Sequence, residues 1–469
     1  MVVFESAMPA RHFIPFSDGS LCPSRYNVTV PLAEPGNSGL LIYNTMSGAA
    51  AKISPPESDL LNAFRIGSAT PSTIINHLEA ISRLYSCGFL VAETEDEPAR
   101  VMAERLFWRT NRQYLDLTIA PTLACNLSCS YCFQIKADRS FNEKDLRDTL
   151  LFCRKVITPD TRAILLHWYG GEPTLRLEDI RYLSPRIGEL AARHGASLHS
   201  EILTNAWNLT EESCRIYRSE CDIRTLQISV DWPPEAFGDF RKLEHGFSHL
   251  LSRIELASHF FDLKLRIHCH TLNTGKVDDL LERLAQRGLN DTWESRGTRL
   301  YVHFSMLYDF TDACSDVARI KIRQDEWANL QCDYLEKAEQ LGFVVNWLPK
   351  RTIGKYCCAQ CENAFLLVPG GDIYKCYRQN YTDRRVAVGN VAQERIPYTV
   401  VEGEDATDRI GCRDCLYLPI CSGACPDSAS ARWLESPCTP LKGNLERRLA
   451  MEWQKAKSRI EAEDGLNCV

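Results

Sequence analysis

The 469-residue chain predicts an α/β protein: an open, partial (β/α)6 TIM-like barrel with a winged-helix-like module before it and a cysteine-rich domain after it. Three observations carry this expectation. The chain is too long for one ordinary core, so several domains are needed. Between residues 111 and 345, short apolar stretches alternate with amphipathic helical ones, which implies parallel strands joined by right-handed crossovers. Finally, the 21 cysteines are unevenly spread, with one cluster at 125–132 and a larger one at 357–438.

Taken in order, residues 1–100 hold RYNVTVPL and GLLIYNTMSGAAAKI, which read as an early strand pair. ESDLLNAFRIG and PSTIINHLEAISRLYSCG read as helices and FLVAE as a closing strand, the order of a winged-helix-like module. Residues 101–110 lie in a linker. Candidate barrel strands are 114–120, 162–169, 197–204, 224–231, 262–270 and 299–306, with helical patterns such as 143–157 and 275–288 between them. Six units are too few to close an eight-fold barrel. Residues 346–440 form the cysteine-rich part. The charged stretch 441–469 is expected as a solvated terminal helix.

Composition narrows the partners. A net charge of −7 and a pI near 5.9 argue against nucleic acid, because phosphate binding needs a basic surface. MVVFESAMPARHFIPF lacks a charged segment followed by an apolar one, and no run approaches 18 apolar residues. No signal peptide, no membrane partner and a cytoplasmic location are therefore expected. In a reducing compartment so many cysteines point to metal rather than disulfides.

The chemistry concentrates at strand ends. Cys125, Cys129 and Cys132, spaced C-x3-C-x2-C, follow the first strand directly, and barrels of this type place their chemistry at the C-terminal strand ends. Structural zinc takes four ligands, whereas an iron–sulfur cluster held by three leaves one iron open. After the second strand comes Gly170-Gly171-Glu172-Pro173. Glycines let a backbone approach closely and a carboxylate pairs with an ammonium, although GG and P also favour a plain turn. The fourth strand sets Gln227, Ser229 and Asp231 against Leu226, Ile228 and Val230. The fifth and sixth add Lys264, Arg266, His268 and His270, then Tyr301, His303 and Ser305, as pocket candidates. Near the C-terminus stand Cys361-x9-Gly371-x4-Cys376, Cys412-x2-Cys415-x5-Cys421-x3-Cys425 and Cys438, with Cys357 and Cys358 just upstream. Zinc-ribbon-like sites are the alternative there, since C-x2-C is also a zinc spacing.

Together these motifs resemble the radical S-adenosylmethionine (radical SAM) enzymes with a SPASM extension, and the chain resembles maturases of ribosomally synthesised peptides. The resemblance implies a 4Fe–4S cluster on Cys125, Cys129 and Cys132 whose open iron binds S-adenosylmethionine. It implies cofactor contacts from Gly170, Gly171, Glu172, Pro173, Ser229, Asp231 and Arg241. Thr204-Asn205 resembles the family's TNG segment, with Ala206 replacing the glycine. Two auxiliary 4Fe–4S clusters are implied, one on Cys361, Cys376 and Cys425, the other on Cys412, Cys415, Cys421 and Cys438. Cys357 or Cys358 would complete the first, or neither would, which would leave it an open iron for a substrate sulfur.

The activity implied is hydrogen abstraction from a precursor peptide, bound through its leader as an added strand, followed by a thioether, C–C or C–O crosslink. A flavodoxin or ferredoxin-type protein would donate electrons. Sulfatase-maturase-like oxidation, peptide epimerisation and a cysteine-rich zinc protein are the alternatives. In sulfatase maturases the residue after the G-x4-C cysteine is a basic aspartate; here it is Tyr377, so no catalytic acid or base is assigned.

Overall fold

The computed structural model describes residues 1–5, 20–32, 39–233, 246–308, 312–349, 357–400, 411–421, 423, 425 and 438–466. Arg241 lies outside them. The N-terminal part is built from β1 (Val2–Glu5), β2 (Leu21–Pro23), β3 (Asn27–Pro31), β4 (Leu40–Asn44), β5 (Ala50–Ile53) and β6 (Leu90–Ala92). Four of these form an antiparallel sheet in the order β1-β5-β4-β3, and β2 pairs with β6.

GLLIYNTMSGAAAKI is therefore a hairpin rather than one strand of a pair. The Asn44 side chain accepts from the Met46 and Ser47 amides at 3.0 and 2.7 Å, and Gly48 takes a φ of +76°, which turns the chain back. Helices Pro55–Arg65, Pro71–Asn76 and Leu78–Ser86 close a small core of its own, with Ile42, Ile53, Leu60, Phe64, Ile81 and Leu84 buried together. The segment expected as a linker is helical, Glu97–Thr110. The Asp96 carboxylate accepts from the Ala99 amide at 3.0 Å, a side-chain N-cap.

Six parallel strands follow: β7 (Tyr114–Ile119), β8 (Ala163–Trp168), β9 (Ser197–Thr204), β10 (Thr225–Val230), β11 (Asp262–Cys269) and β12 (Leu300–Met306). They neighbour one another in sequence order, as strand–helix alternation requires. Along β10, Leu226, Ile228 and Val230 are fully buried against the helices, while Gln227 and Ser229 are half-buried on the other face.

The sheet does not end at β7. β13 (Ala364–Leu367) joins β7 in parallel, and β14 (Asp372–Tyr374) and β15 (Gly389–Asn390) continue antiparallel. The cysteine-rich segment is thus an extension of the same sheet. Its AFLL strand is buried at all four positions, so it carries no alternation by which periodicity could reveal it.

The terminal helix Leu441–Leu466 corrects the expectation of a solvated element. Leu445, Leu449 and Trp453 recur one turn apart and are buried with Val28, Leu41 and Tyr43 of the N-terminal sheet. On another side Arg447 reaches Glu336 and Asp333 of helix Gln324–Gln340. The helix therefore clamps the N-terminal sheet to the main body. Among the described residues no helix is long and apolar enough to cross a membrane.

Candidate active site

The loop leaving β7 and the glycines leaving β8 are one structural unit. Beyond the sheet the two chains stay bonded: the amides of Tyr169, Gly171 and Glu172 donate to the carbonyls of Ile119, Thr122 and Ala124 at 2.9, 3.0 and 2.9 Å. A Cβ on Gly170 would lie 2.3 Å from the Thr122 carbonyl oxygen, and one on Gly171 would lie 2.1 Å from that of Ala124. The two glycines are required by the backbone that carries Cys125, whatever else approaches them.

Glu172 is 1% exposed and serves as a brace. Its carboxylate accepts from the Thr174 amide and hydroxyl at 3.0 and 2.6 Å, the Thr204 hydroxyl at 2.7 Å and the Asn205 amide at 2.8 Å. Burial holds this carboxyl above the usual carboxylate range although those hydrogen bonds pull it down. The brace ties the end of β8 to the end of β9, and Asn205 in turn donates to Asn126 at 2.9 Å and approaches the Cys125 sulfur at 3.8 Å. Ala206, where the glycine of TNG would stand, adopts a φ of +62°. The turn keeps its left-handed shape and an alanine carries it.

A cavity of about 180 Å³ opens between these elements. Cys125, Cys129 and Cys132 line it with Gly170, Gly171, Glu172 and Asn205; Gln227, Ser229, Arg266 and His268 form the sheet side. Of the residues expected to contact a cofactor, Gly170, Gly171, Glu172 and Ser229 therefore meet at one place. Pro173, buried, opens a short 3-10 turn after them. Asp231 stands behind the wall. Its carboxylate accepts from the Tyr131 hydroxyl at 2.8 Å and pairs with His268 Nδ1 at 2.7 Å. Arg266, among the pocket candidates, is an arginine that faces the cavity and donates to Ser305 at 3.1 Å.

Deeper in the sheet face, His167 Nδ1 lies 2.9 Å from Glu201, whose second oxygen accepts from Lys264 at 2.5 Å.

Three thiols around one cavity, with no fourth cysteine lining it among the described residues, fit a cluster that keeps one coordination position for a small molecule. Burial pushes the Cys125 and Cys132 thiols up, so holding them as thiolates there calls for a cation. Among the described residues no group of three or more His, Cys, Asp and Glu is arranged as a single-ion site.

The C-terminal cysteines gather partly around β13 and β14. Cys357 and Cys358 stand side by side where a short 3-10 turn, Cys358–Gln360, leads into Cys361. Arg378 donates from its backbone to Cys376 and from its guanidinium to Cys425, each at 3.4 Å. Lys375, 1% exposed, donates to the carbonyls of Cys361, Glu362 and Ala364 at 3.1, 2.9 and 2.5 Å; burial lowers its ammonium to about 8. This lysine pins the Cys361 turn to the strand before it. Sequence reading passed over it, because its signal is burial alone. Tyr377 shares a hydrogen bond with Thr118 at 2.8 Å and meets the Tyr169 ring edge-on at 4.8 Å, which connects the two cysteine groups through packed aromatics.

Three thiols on the loop leaving the first of six parallel strands thus line a cavity edged by two glycines. Residues 119–290 match the family model described as the Radical SAM superfamily, and the chain carries a radical SAM domain. It is 22% identical over 336 residues to the serine-type anaerobic sulfatase-maturating enzyme of Klebsiella aerogenes, covering 66% of this chain and 78% of that protein. Its fold is similar to anSMEcpe with bound AdoMet and the Kp18Cys peptide, at a TM-score of 0.51 and 16% identity over 76% of this chain and 99% of that one. It is also similar to Streptococcus suis SuiB bound to S-adenosylmethionine, at a TM-score of 0.50 and 15% identity over 86% and 96%.

Proposed function

We propose that the protein is a radical SAM maturase that modifies a ribosomally made precursor peptide by installing a thioether, C–C or C–O crosslink. The observation that carries the reading is the bonded pair of loops, with the cysteine triad on one and the glycines on the other, around one shared cavity. Cys125, Cys129 and Cys132 would hold a 4Fe–4S cluster; when S-adenosylmethionine is bound to it, reduction supplies a 5′-deoxyadenosyl radical. The protein's own part is to hold. Gly170 and Gly171 leave room for backbone approach, Glu172 fixes the strand ends, and Ser229 and Arg266 offer a hydroxyl and a guanidinium to the polar groups of a bound ligand.

Residues 1–100 would recognise the leader. β3 is an end strand of its sheet, and a cavity of about 470 Å³ lies beside it, lined by Arg25, Asn27, Thr29, Leu61 and Arg65. That arrangement suits a peptide added as a strand. Residues 346–440 would carry two auxiliary clusters as a SPASM domain, and a flavodoxin or ferredoxin-type protein would supply electrons.

The second reading is oxidation of a protein side chain, as in sulfatase maturation, and the similarity to the Klebsiella aerogenes enzyme favours it. Against it stands Tyr377 at the position of the basic aspartate, with its hydroxyl engaged by Thr118.

Anaerobic reconstitution should yield about twelve irons per chain and cleavage of S-adenosylmethionine on reduction; zinc without iron would end the proposal. Co-expression with a short open reading frame beside the gene, read by mass spectrometry, separates the outcomes. Loss of two hydrogens supports a crosslink, unchanged mass with an altered residue supports epimerisation, and an untouched peptide rejects peptide maturation.

A further inference from the structure

We propose that Arg266 anchors a carboxylate of the precursor peptide, either an Asp or Glu side chain or the C-terminal carboxylate. This rests on the maturase reading above and deepens it, since that reading leaves the chemistry of the substrate open.

The observation is a cation without an anion. Arg266 sits half-buried on β11 and lines the cavity. A guanidinium keeps its charge at any working pH and has N–H donors but no acceptor. Here Nη2 donates to the Ser305 hydroxyl at 3.1 Å, and Nε is buried with no acceptor among the described residues. The neighbouring strands supply no anion either. Their register sets Arg266 beside Ser229 on β10 and His303 on β12. Burial, and after it the charge of Arg266, bring the His303 imidazole down to about 4, so this neighbour is uncharged at neutral pH. Among the described residues no carboxylate pairs with Arg266.

The other charged groups on these walls are engaged. Lys264, on the same face of β11, is held by Glu201, which also holds His167. Asp231 pairs with His268. Glu172 accepts four hydrogen bonds. Lys136 donates to the Leu127 carbonyl, and its charge acts on the Cys125 and Cys132 thiols. A charge taken partly out of water costs free energy until an opposite charge joins it. The planar fork of an arginine matches the two oxygens of a carboxylate. A carboxylate is therefore the ligand chemistry that this wall takes.

The peptide supplies it rather than the cofactor. S-adenosylmethionine carries an ammonium and a sulfonium against one carboxylate, so its net charge is positive and a second cation repels it as a whole. Position agrees. The thiols leave β7, whereas β12 is an end strand of the sheet and Arg266 stands one strand in from that end. The end of β12 adds Met306, Leu307 and Tyr308 to the cavity lining. A peptide that enters by the edge of the sheet meets this wall first.

The test is one of binding. Purified full-length chain is titrated by calorimetry with acetyl-Gly-Glu-Gly-amide, its Gln analogue, acetyl-Gly-Gly-Gly as free acid and as amide, and S-adenosylhomocysteine. Wild type should bind a carboxylate peptide about tenfold more tightly than its neutral analogue. The pair that shows this preference tells a side chain from a C-terminus. In Arg266→Gln the preference should vanish, and in Arg266→Lys it should persist in part because the charge remains. S-adenosylhomocysteine should bind both variants within about twofold of wild type. Because the guanidinium has no counter-charge to lose, Arg266→Gln should melt no lower than wild type. No carboxylate preference in wild type, an unchanged preference in Arg266→Gln, or a lowered melting temperature of that variant overturns the proposal. So does loss of S-adenosylhomocysteine binding with peptide binding untouched, which would give Arg266 to the cofactor. Iron after anaerobic reconstitution is measured on the same samples. Wild type without iron would sink the maturase reading and leave the carboxylate preference standing.

Discussion

Replacing Gly171 by alanine tests whether the glycine pair serves the cysteine loop. The added Cβ would meet the Ala124 carbonyl oxygen at 2.1 Å, its carbon at 2.5 Å and the Leu123 oxygen at 2.7 Å. All three are backbone atoms, so no side chain can swing aside, and one loop must move by roughly 1 Å to reach contact distance. That shift strains the hydrogen bonds that the Gly171 and Glu172 amides donate to the Thr122 and Ala124 carbonyls, each worth about 1 kcal/mol net. A local loss of about 2 kcal/mol follows, sited one residue before Cys125. Displacement of about 1 Å at a reacting centre can lower a rate about 10²-fold. In Gly171→Ala, iron should therefore fall from about twelve to about eight per chain, with the C-terminal clusters retained, and S-adenosylmethionine cleavage should drop about 10²-fold. Gly195→Ala is the control: its φ is +68° and nothing lies within 4 Å of the new Cβ, so it should lose about 1 kcal/mol of stability and no iron. Full iron and wild-type cleavage in Gly171→Ala would refute the reasoning, as would equal iron loss in the control.

Three further outcomes follow from other parts of the molecule. Burial raises the Glu201 carboxyl, but the hydrogen bonds and charges of His167 and Lys264 outweigh it and bring it down to about 2 from 4.5. A carboxyl lowered on folding stabilises the protein above its unfolded value, and that stability is lost as pH falls from about 4.5 towards 2. Urea unfolding at several pH values should show Glu201→Gln with an acid loss smaller by roughly 3 kcal/mol; identical acid limbs would reject the coupling. Ala206→Gly should raise stability by about 1 kcal/mol, because an alanine at φ +62° carries left-handed strain, and a lowered melting temperature would contradict this. Trp453→Ala should cost about 3–5 kcal/mol and expose the terminal helix to limited proteolysis, whereas a freely solvated helix would show neither effect.

The strands of the main sheet were legible because their signal is local: apolar and polar residues alternate within six to eight positions, and helices separate them. The first cysteine triplet and the GGEP segment were legible for the same reason, each being a short loop at a strand end. β13 was not, since four buried residues in a row carry no period. The terminal helix was misjudged because Leu445, Leu449 and Trp453 form one thin stripe among charges, and a stripe does not say what it meets. Asp231 was expected as a cofactor contact from its place on a polar strand face. The structure sets it one layer back.

By itself the sequence determined the strand order, the three-thiol loop and the glycines beside it, all features that depend on residues close along the chain. Tertiary structure decided what those groups do to one another. Asp231 reaches Tyr131 across 100 residues and His268 across 37. Glu172 closes on Asn205 across 33. Such pairings depend on the register of neighbouring parallel strands, where a slip of one residue would turn each side chain to the opposite face.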